Sequence, residues 1–237
     1  SKPQTSSSLE QNPKVLVQKN SREPPLDFSK WFLEIPSERW QMGLIDSYSL
    51  RKYTSEYFYP DKEGAAILRV TVGGFPQKGE EYVRTSLRQA DAWGIDNRTH
   101  NLNLTMAVES MDTVNKRMII AQLHNQECDF AVALFFDDDE LSVIIRPEKT
   151  SGSQDKQIFL GHVSNSEVFK LLAEVDSCGF LKVSYNGEVV YDGSKDIGYT
   201  GKGYYWKVGP HLQTNRNSGE INDNASGVVR ILKVDIQ

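Results

Sequence analysis

Tyr205-Trp206-Lys207-Val208-Gly209-Pro210-His211-Leu212-Gln213 sets Tyr205, Lys207, His211 and Gln213 at every second position, with apolar Trp206, Val208 and Leu212 between them. Side chains alternate across a β-strand, so this stretch predicts a strand with one face in a core and one polar face. Two other stretches repeat the pattern. Arg84, Ser86 and Arg88 interleave with Val83 and Leu87, and Gln122 and His124 interleave with Ala121 and Leu123. A single outward Arg, Lys or His on a strand is ordinarily just solvated. Three strands, each with long polar side chains in register and a clean apolar reverse, predict a shared binding groove instead.

Outward from these stretches, the chain from Phe28 breaks into short runs of Val, Ile, Leu and aromatics separated by Gly, Asn, Asp and Pro, the pattern of an all-β sandwich or barrel. Strands are expected over 65–72, 82–89, 101–108, 118–124, 130–136, 142–146, 168–175, 179–185, 188–191, 204–213 and 227–236. Asn186-Gly187 suits a two-residue type I′ turn, which needs positive φ at both positions and predicts a hairpin. Asp137-Asp138-Asp139 reads as a solvated turn, since calcium loops space their oxygens at alternate positions around a Gly bend. Without a long amphipathic helix, the expected fold is a single-domain β-jelly roll of two antiparallel sheets over 26–237. Residues 1–25, with Ser6-Ser7-Ser8 and Pro24-Pro25 and no sustained period, read as a disordered leader or linker.

The 237 residues carry a formal charge of −5 and no Lys/Arg block, which argues against a nucleic-acid partner. A local cluster such as Arg84, Arg88 and Lys207 can still attract an anionic ligand. No apolar run approaches the roughly 20 residues of a membrane-spanning helix, so no membrane partner is expected. No signal sequence opens the chain, leaving a cytosolic protein or one whose signal has been removed. Cys128 and Cys178 leave open one disulfide or two buried thiols. Asn97, Asn103 and Asn224 begin glycosylation sequons, of use only in a secreted eukaryotic protein. His100 and His162 stand apart from other metal-ligand types and read as surface or structural residues, with no metal site.

With their order and spacing, the three polar stretches resemble the signature strands of polysaccharide lyase family 7, the alginate lyases, whose patterns are R-[TS]-E-L-R, Q-[IV]-H and Y-F-K-A-G-x-Y-x-Q. The run Asp27-Phe28-Ser29-Lys30-Trp31-Phe32-Leu33-Glu34-Ile35-Pro36 is similar to that family's D-x-S-x-W-x-L-x-x-P opening of the first strand. The resemblance covers nearly all of the chain after the leader. It implies a jelly roll whose concave sheet binds an acidic polysaccharide and cleaves it by β-elimination, a secreted monomeric enzyme that needs no cofactor. Arg84 and Gln122 would hold the uronate carboxylate, and His124 matches the catalytic histidine. Arg88, Lys207, Gln213 and Ser86 would line the substrate path. Leu123 is neither of the residues usual between Gln and His, so no preference between mannuronate and guluronate is drawn.

Such chemistry needs donors that neutralise the carboxylate beside a barely acidic C5–H, and a base and an acid for the two proton transfers. At two positions the chain departs from the pattern. Ser86 stands where the family has Glu, which removes an anion that would orient the arginines and leaves an expectation of a more positive groove. His211 stands where the family has its acid Tyr. The acid is then His211 or Tyr205, two positions away on the same face, or catalysis is lost. A non-catalytic carbohydrate-binding sandwich would use the same polar residues with Trp93, Tyr204 and Tyr205 as sugar platforms. Glycoside hydrolysis needs two opposed carboxylates; the polar strand faces contain none, and Glu109 and Glu127 lie elsewhere.

Overall fold

Alternation dominates the centre of the molecule. In a computed structural model of the chain, which describes residues 26–38, 41–76, 80–125, 128–146, 154–193 and 203–237, residues 100–106 and Phe169–Val175 bury every second side chain and pair with each other. The described strands are β1 (Trp31–Glu38), β2 (Gln41–Ile45), β3 (Phe58–Pro60), β4 (Ala66–Thr71), β5 (Ser86–Gln89), β6 (His100–Met111), β7 (Arg117–Asn125), β8 (Cys128–Asp137), β9 (Glu140–Ile145), β10 (Lys156–His162), β11 (Phe169–Val175), β12 (Leu181–Tyr185), β13 (Glu188–Asp192), β14 (Tyr205–Leu212) and β15 (Ser226–Ile236). A four-residue helix, α1 (Ser47–Leu50), is capped by Asp46, whose carboxylate accepts from the Ser49 amide at 2.8 Å.

All described strand pairs are antiparallel. One sheet has the order β10-β9-β8-β7-β14-β5-β1-β2, the other β13-β12-β11-β6-β15-β4-β3. Their inner faces enclose one core containing Leu33, Leu87, Leu123, Trp206 and Val208 from the first sheet and Leu68, Leu104, Leu171 and Val229 from the second. This is the expected β-jelly roll. Asn186 and Gly187 have φ of 50° and 90° and close the β12–β13 hairpin; Asp138 and Asp139, also at positive φ, make the β8–β9 turn.

Several expected elements change at their edges. The strand read over 82–89 is reduced to β5, whose ladder with β14 lapses opposite Gly209-Pro210, where β14 is also bulged against β7, Val208 pairing with Ala121 but His211 with Ile119. Pro210 in that bulge has no N–H for the ladder. Only an isolated bridge, Arg84 with His211, continues the pairing. Gly209, at φ +139°, makes the bulge possible: a Cβ there would sit 2.3 Å from the Thr85 carbonyl oxygen and 2.8 Å from Leu68 Cδ2. Gly209→Ala should therefore lower stability by about 1–3 kcal/mol, read as a drop in the thermal midpoint. The expected leader at 1–25 lies outside the described residues.

Cys178 is an exposed free thiol, which removes both the disulfide and the buried-thiol expectation for that residue. It lies in the turn between β11 and β12, in the opposite sheet from β8, where Cys128 sits.

Candidate active site

Strands β7, β14 and β5 are neighbours in the eight-stranded sheet, so the three polar faces form one continuous outer surface. Across the ladder Tyr205 pairs with His124, Lys207 with Gln122 on one side and Arg88 on the other, and Arg84 with His211. The alternation places Val83, Leu87, Leu123, Trp206, Val208 and Leu212 in the core, as expected. Above this floor lies a cavity of about 280 Å³ lined by Arg84, Gln122, His124, His211 and Gln213, with Tyr82, Phe130 and Ile119 at its sides.

Beneath the cavity is a buried ionic cluster centred on Glu34 of β1. Its Oε2 accepts from Arg84 Nε at 3.2 Å and Ser86 Oγ at 2.9 Å and lies 3.1 Å from Lys207 Nζ; its Oε1 is 3.9 Å from Arg88 Nη1. Glu34, Arg84 and Lys207 are only 5%, 5% and 4% exposed. Burial alone would raise the Glu34 carboxyl, but Lys207 and Arg84 outweigh it and hold it below the ordinary carboxylate range. Burial also pushes the Lys207 ammonium down, to about 8, against the pull of Glu34.

The expectation of a more positive groove is thus overturned. The anion absent at Ser86 is supplied from the adjacent strand, where Glu34 is the register partner of Ser86. Sequence reasoning missed it, although Trp31, Leu33 and Ile35 facing the core already put Glu34 on the outer face.

His211 is half-buried as a residue, and both its ring nitrogens are shut off from solvent and lack a hydrogen-bond partner among the described residues. Burial, then the neighbouring Arg84 and Lys207 cations, push its imidazole down to about 3, so the ring is neutral near pH 7. Tyr205 is in the opposite state. Burial raises its phenol above the ordinary value, only partly opposed by Arg88, whose guanidinium carbon lies 4.5 Å above the ring. The His124 and Tyr205 rings are 4.8 Å apart.

Glu80 and Glu81, from the segment before β5, also line the cavity. Each is engaged: Glu80 Oε1 lies 3.2 Å from Arg84 Nη1, and Glu81 Oε1 accepts from Asn215 Nδ2 at 3.1 Å. Adjacent in sequence, they do not form the opposed carboxylate pair that hydrolysis requires. Glu109 belongs to the other sheet and accepts from Ser166 Oγ at 2.6 Å; Glu127 lies outside the described residues.

A family model described as alginate lyase matches residues 26–237. The chain belongs to the alginate lyase family. Among solved structures it is similar to an alginate lyase from Pseudomonas aeruginosa, at 24% identity over 89% of this chain and 99% of that one, with a TM-score of 0.78. An alginate lyase from Corynebacterium sp. matches at 20% identity over 90% and 95% of the two chains, TM-score 0.77. One from polysaccharide lyase family 7 matches at 22% over 90% and 95%, TM-score 0.76. At these identities the structural likeness carries the fold. No curated protein matches the sequence.

Within the alginate lyase family frame, the lectin expectation loses two of its three platforms. Trp93 and Tyr204 are buried against each other, and Trp93 stacks on His100 at 4.1 Å, so neither offers a face to a sugar. His100 is a buried structural residue, 3.2 Å from Asp96; His162 sits on the surface, 3.2 Å from Asp139. Among the described residues no group of three or more His, Cys, Asp or Glu side chains could hold a metal ion.

Proposed function

We propose that this protein is a polysaccharide lyase that cleaves a 1,4-linked polyuronate, alginate first, by β-elimination outside the cell, where such polymers lie. The observation that carries the reading is the meeting of Arg84, Gln122, His124 and His211 around one cavity, within the alginate lyase family. A uronate carboxylate placed between Arg84 and Gln122 loses much of its charge to two fixed donors, which stabilises the enolate-like charge as C5 gives up its proton.

His124 takes that proton. The C5–H electron pair becomes the C4=C5 double bond as the C4–O4 bond breaks, and the Tyr205 phenol delivers its proton to the departing oxygen. Proton state separates the two candidate acids: the His211 imidazole has already given up its acidic proton near pH 7, whereas the Tyr205 phenol still holds one. His211 then serves as a neutral donor and acceptor to the bound sugar, and Gln213 and Arg88 hold flanking residues of the polymer. Leu123 is fully buried in the core and can influence block preference only through the strand that carries Gln122 and His124.

The deciding experiment is ultraviolet absorbance during incubation with alginate, polymannuronate, polyguluronate and glucuronan, since elimination creates a conjugated unsaturated uronate and hydrolysis does not. A rise with one polymer is expected. A flat trace with all four would end this reading.

A further inference from the structure

We infer that Glu34 is a positioning residue of the lyase site, supplying from β1 the orienting carboxylate that the family pattern places between the two arginines and that Ser86 lacks here. This rests on the function proposed above. Glu34 and Ser86 are direct register partners in the β1–β5 ladder, so a carboxylate rooted at either position reaches the same space between the strands. The Ser86 hydroxyl completes the exchange by donating to the Glu34 carboxylate at 2.9 Å.

The geometry rules out a role as base. Glu34 does not line the cavity, its Oε2 is already met by Arg84, Ser86 and Lys207, and its Oε1 lies 3.9 Å from Arg88 Nη1. What the carboxylate does is aim. Arg84 Nε is fixed to it, which orients the guanidinium plane toward the cavity that Arg84 lines. Lys207 is faced by Glu34 of β1, Arg84 just before β5, Arg88 of β5, and Tyr205 and His211 on its own strand, with Glu80 paired to the far side of Arg84. Within that set Glu34 is the buried anion that keeps the ammonium charged; burial and the two arginines act the other way.

Two variants test this: Glu34→Gln, and the exchange Glu34→Ser with Ser86→Glu. In Glu34→Gln, kcat/KM on the preferred polymer should fall roughly 10²-fold, the scale of a misaimed catalytic contact. The pH at which KM begins to rise should also move down, since Lys207 loses the charge that opposes its deprotonation. In the exchange protein both quantities should return most of the way to wild type.

A merely structural Glu34 would lower the thermal midpoint without moving the pH at which KM rises. A folded Glu34→Gln protein with wild-type kcat/KM and pH dependence would overturn the assignment, as would an exchange protein that folds but stays inactive. Should Glu34→Gln fail to fold, the exchange protein alone decides between these outcomes. An inactive wild type would instead overturn the proposed function, and with it this role.

Discussion

Replacing His124 with alanine will lower kcat on the preferred polyuronate by about 10²- to 10⁴-fold, the usual contribution of a positioned general base, and will leave the polymer bound. The ring lines the cavity beside Gln122 and packs 4.8 Å from Tyr205, so it stands at the proton rather than in the ionic cluster that receives the carboxylate. Removing it leaves Arg84, Gln122 and the Glu34 cluster in place. Turnover by ultraviolet absorbance and affinity by calorimetry should therefore separate. In free-energy terms the lost rate is about 3–5 kcal/mol of transition-state stabilisation, with little change in ground-state binding. A variant that loses affinity and turnover in equal measure would place His124 in sugar binding alone. One that binds normally and never turned over as wild type would return the molecule to the lectin class.

Period-two spacing made the floor of this site legible before any coordinates. Arg84, Gln122, His124, Lys207 and His211 all fall where strict alternation puts them, because a strand that buries Leu87, Leu123 and Val208 has no freedom over its other face. What alternation does not carry is which strands pair. Glu34 lies 52 residues from Ser86 in sequence, and only the β1–β5 register brings the two within 2.9 Å. A substitution that looks like a lost charge along one strand is a relocated charge across two.

Two of the strands that went unread offer little core face. Lys156–His162 is an edge strand whose side chains are mostly exposed, and Phe58–Pro60 is three residues ending in proline. The shortening at 82–89 has the opposite origin. The alternation there is sound, but the ladder is interrupted by the Gly209-Pro210 bulge on the partner strand, a long-range cause that no local pattern contains.

Tyr205→Phe should lose about 10²- to 10⁴-fold in kcat, and His211→Asn distinctly less, because only the phenol is protonated and able to deliver its proton near neutral pH. The two residues differ by environment rather than by distance alone. Tyr205 is buried under Arg88, with its phenol raised above the ordinary value of about 10, so it keeps its proton across the working range. His211, stripped of solvent and set between Arg84 and Lys207, titrates only near 3 and contributes no limb to the rate profile between pH 5 and 8.

That same displacement has a stability signature whose sign is fixed by linkage. In the unfolded chain His211 takes a proton near about 6.5, in the folded one only near 3, so between those values the unfolded state binds more protons and acid favours it. Wild-type thermal stability should erode as pH falls through that window, and His211→Asn should be less acid-sensitive there. If instead His211→Asn removes the larger share of kcat and Tyr205→Phe leaves it near wild type, the proton assignments exchange and His211 is the acid. Replacing the family's acid tyrosine by histidine would then have moved the working proton to a group that must be charged by its substrate: burial and two cations keep the ring neutral, a uronate carboxylate against Arg84 offsets one of those cations, and the imidazole would gain its proton only in the complex.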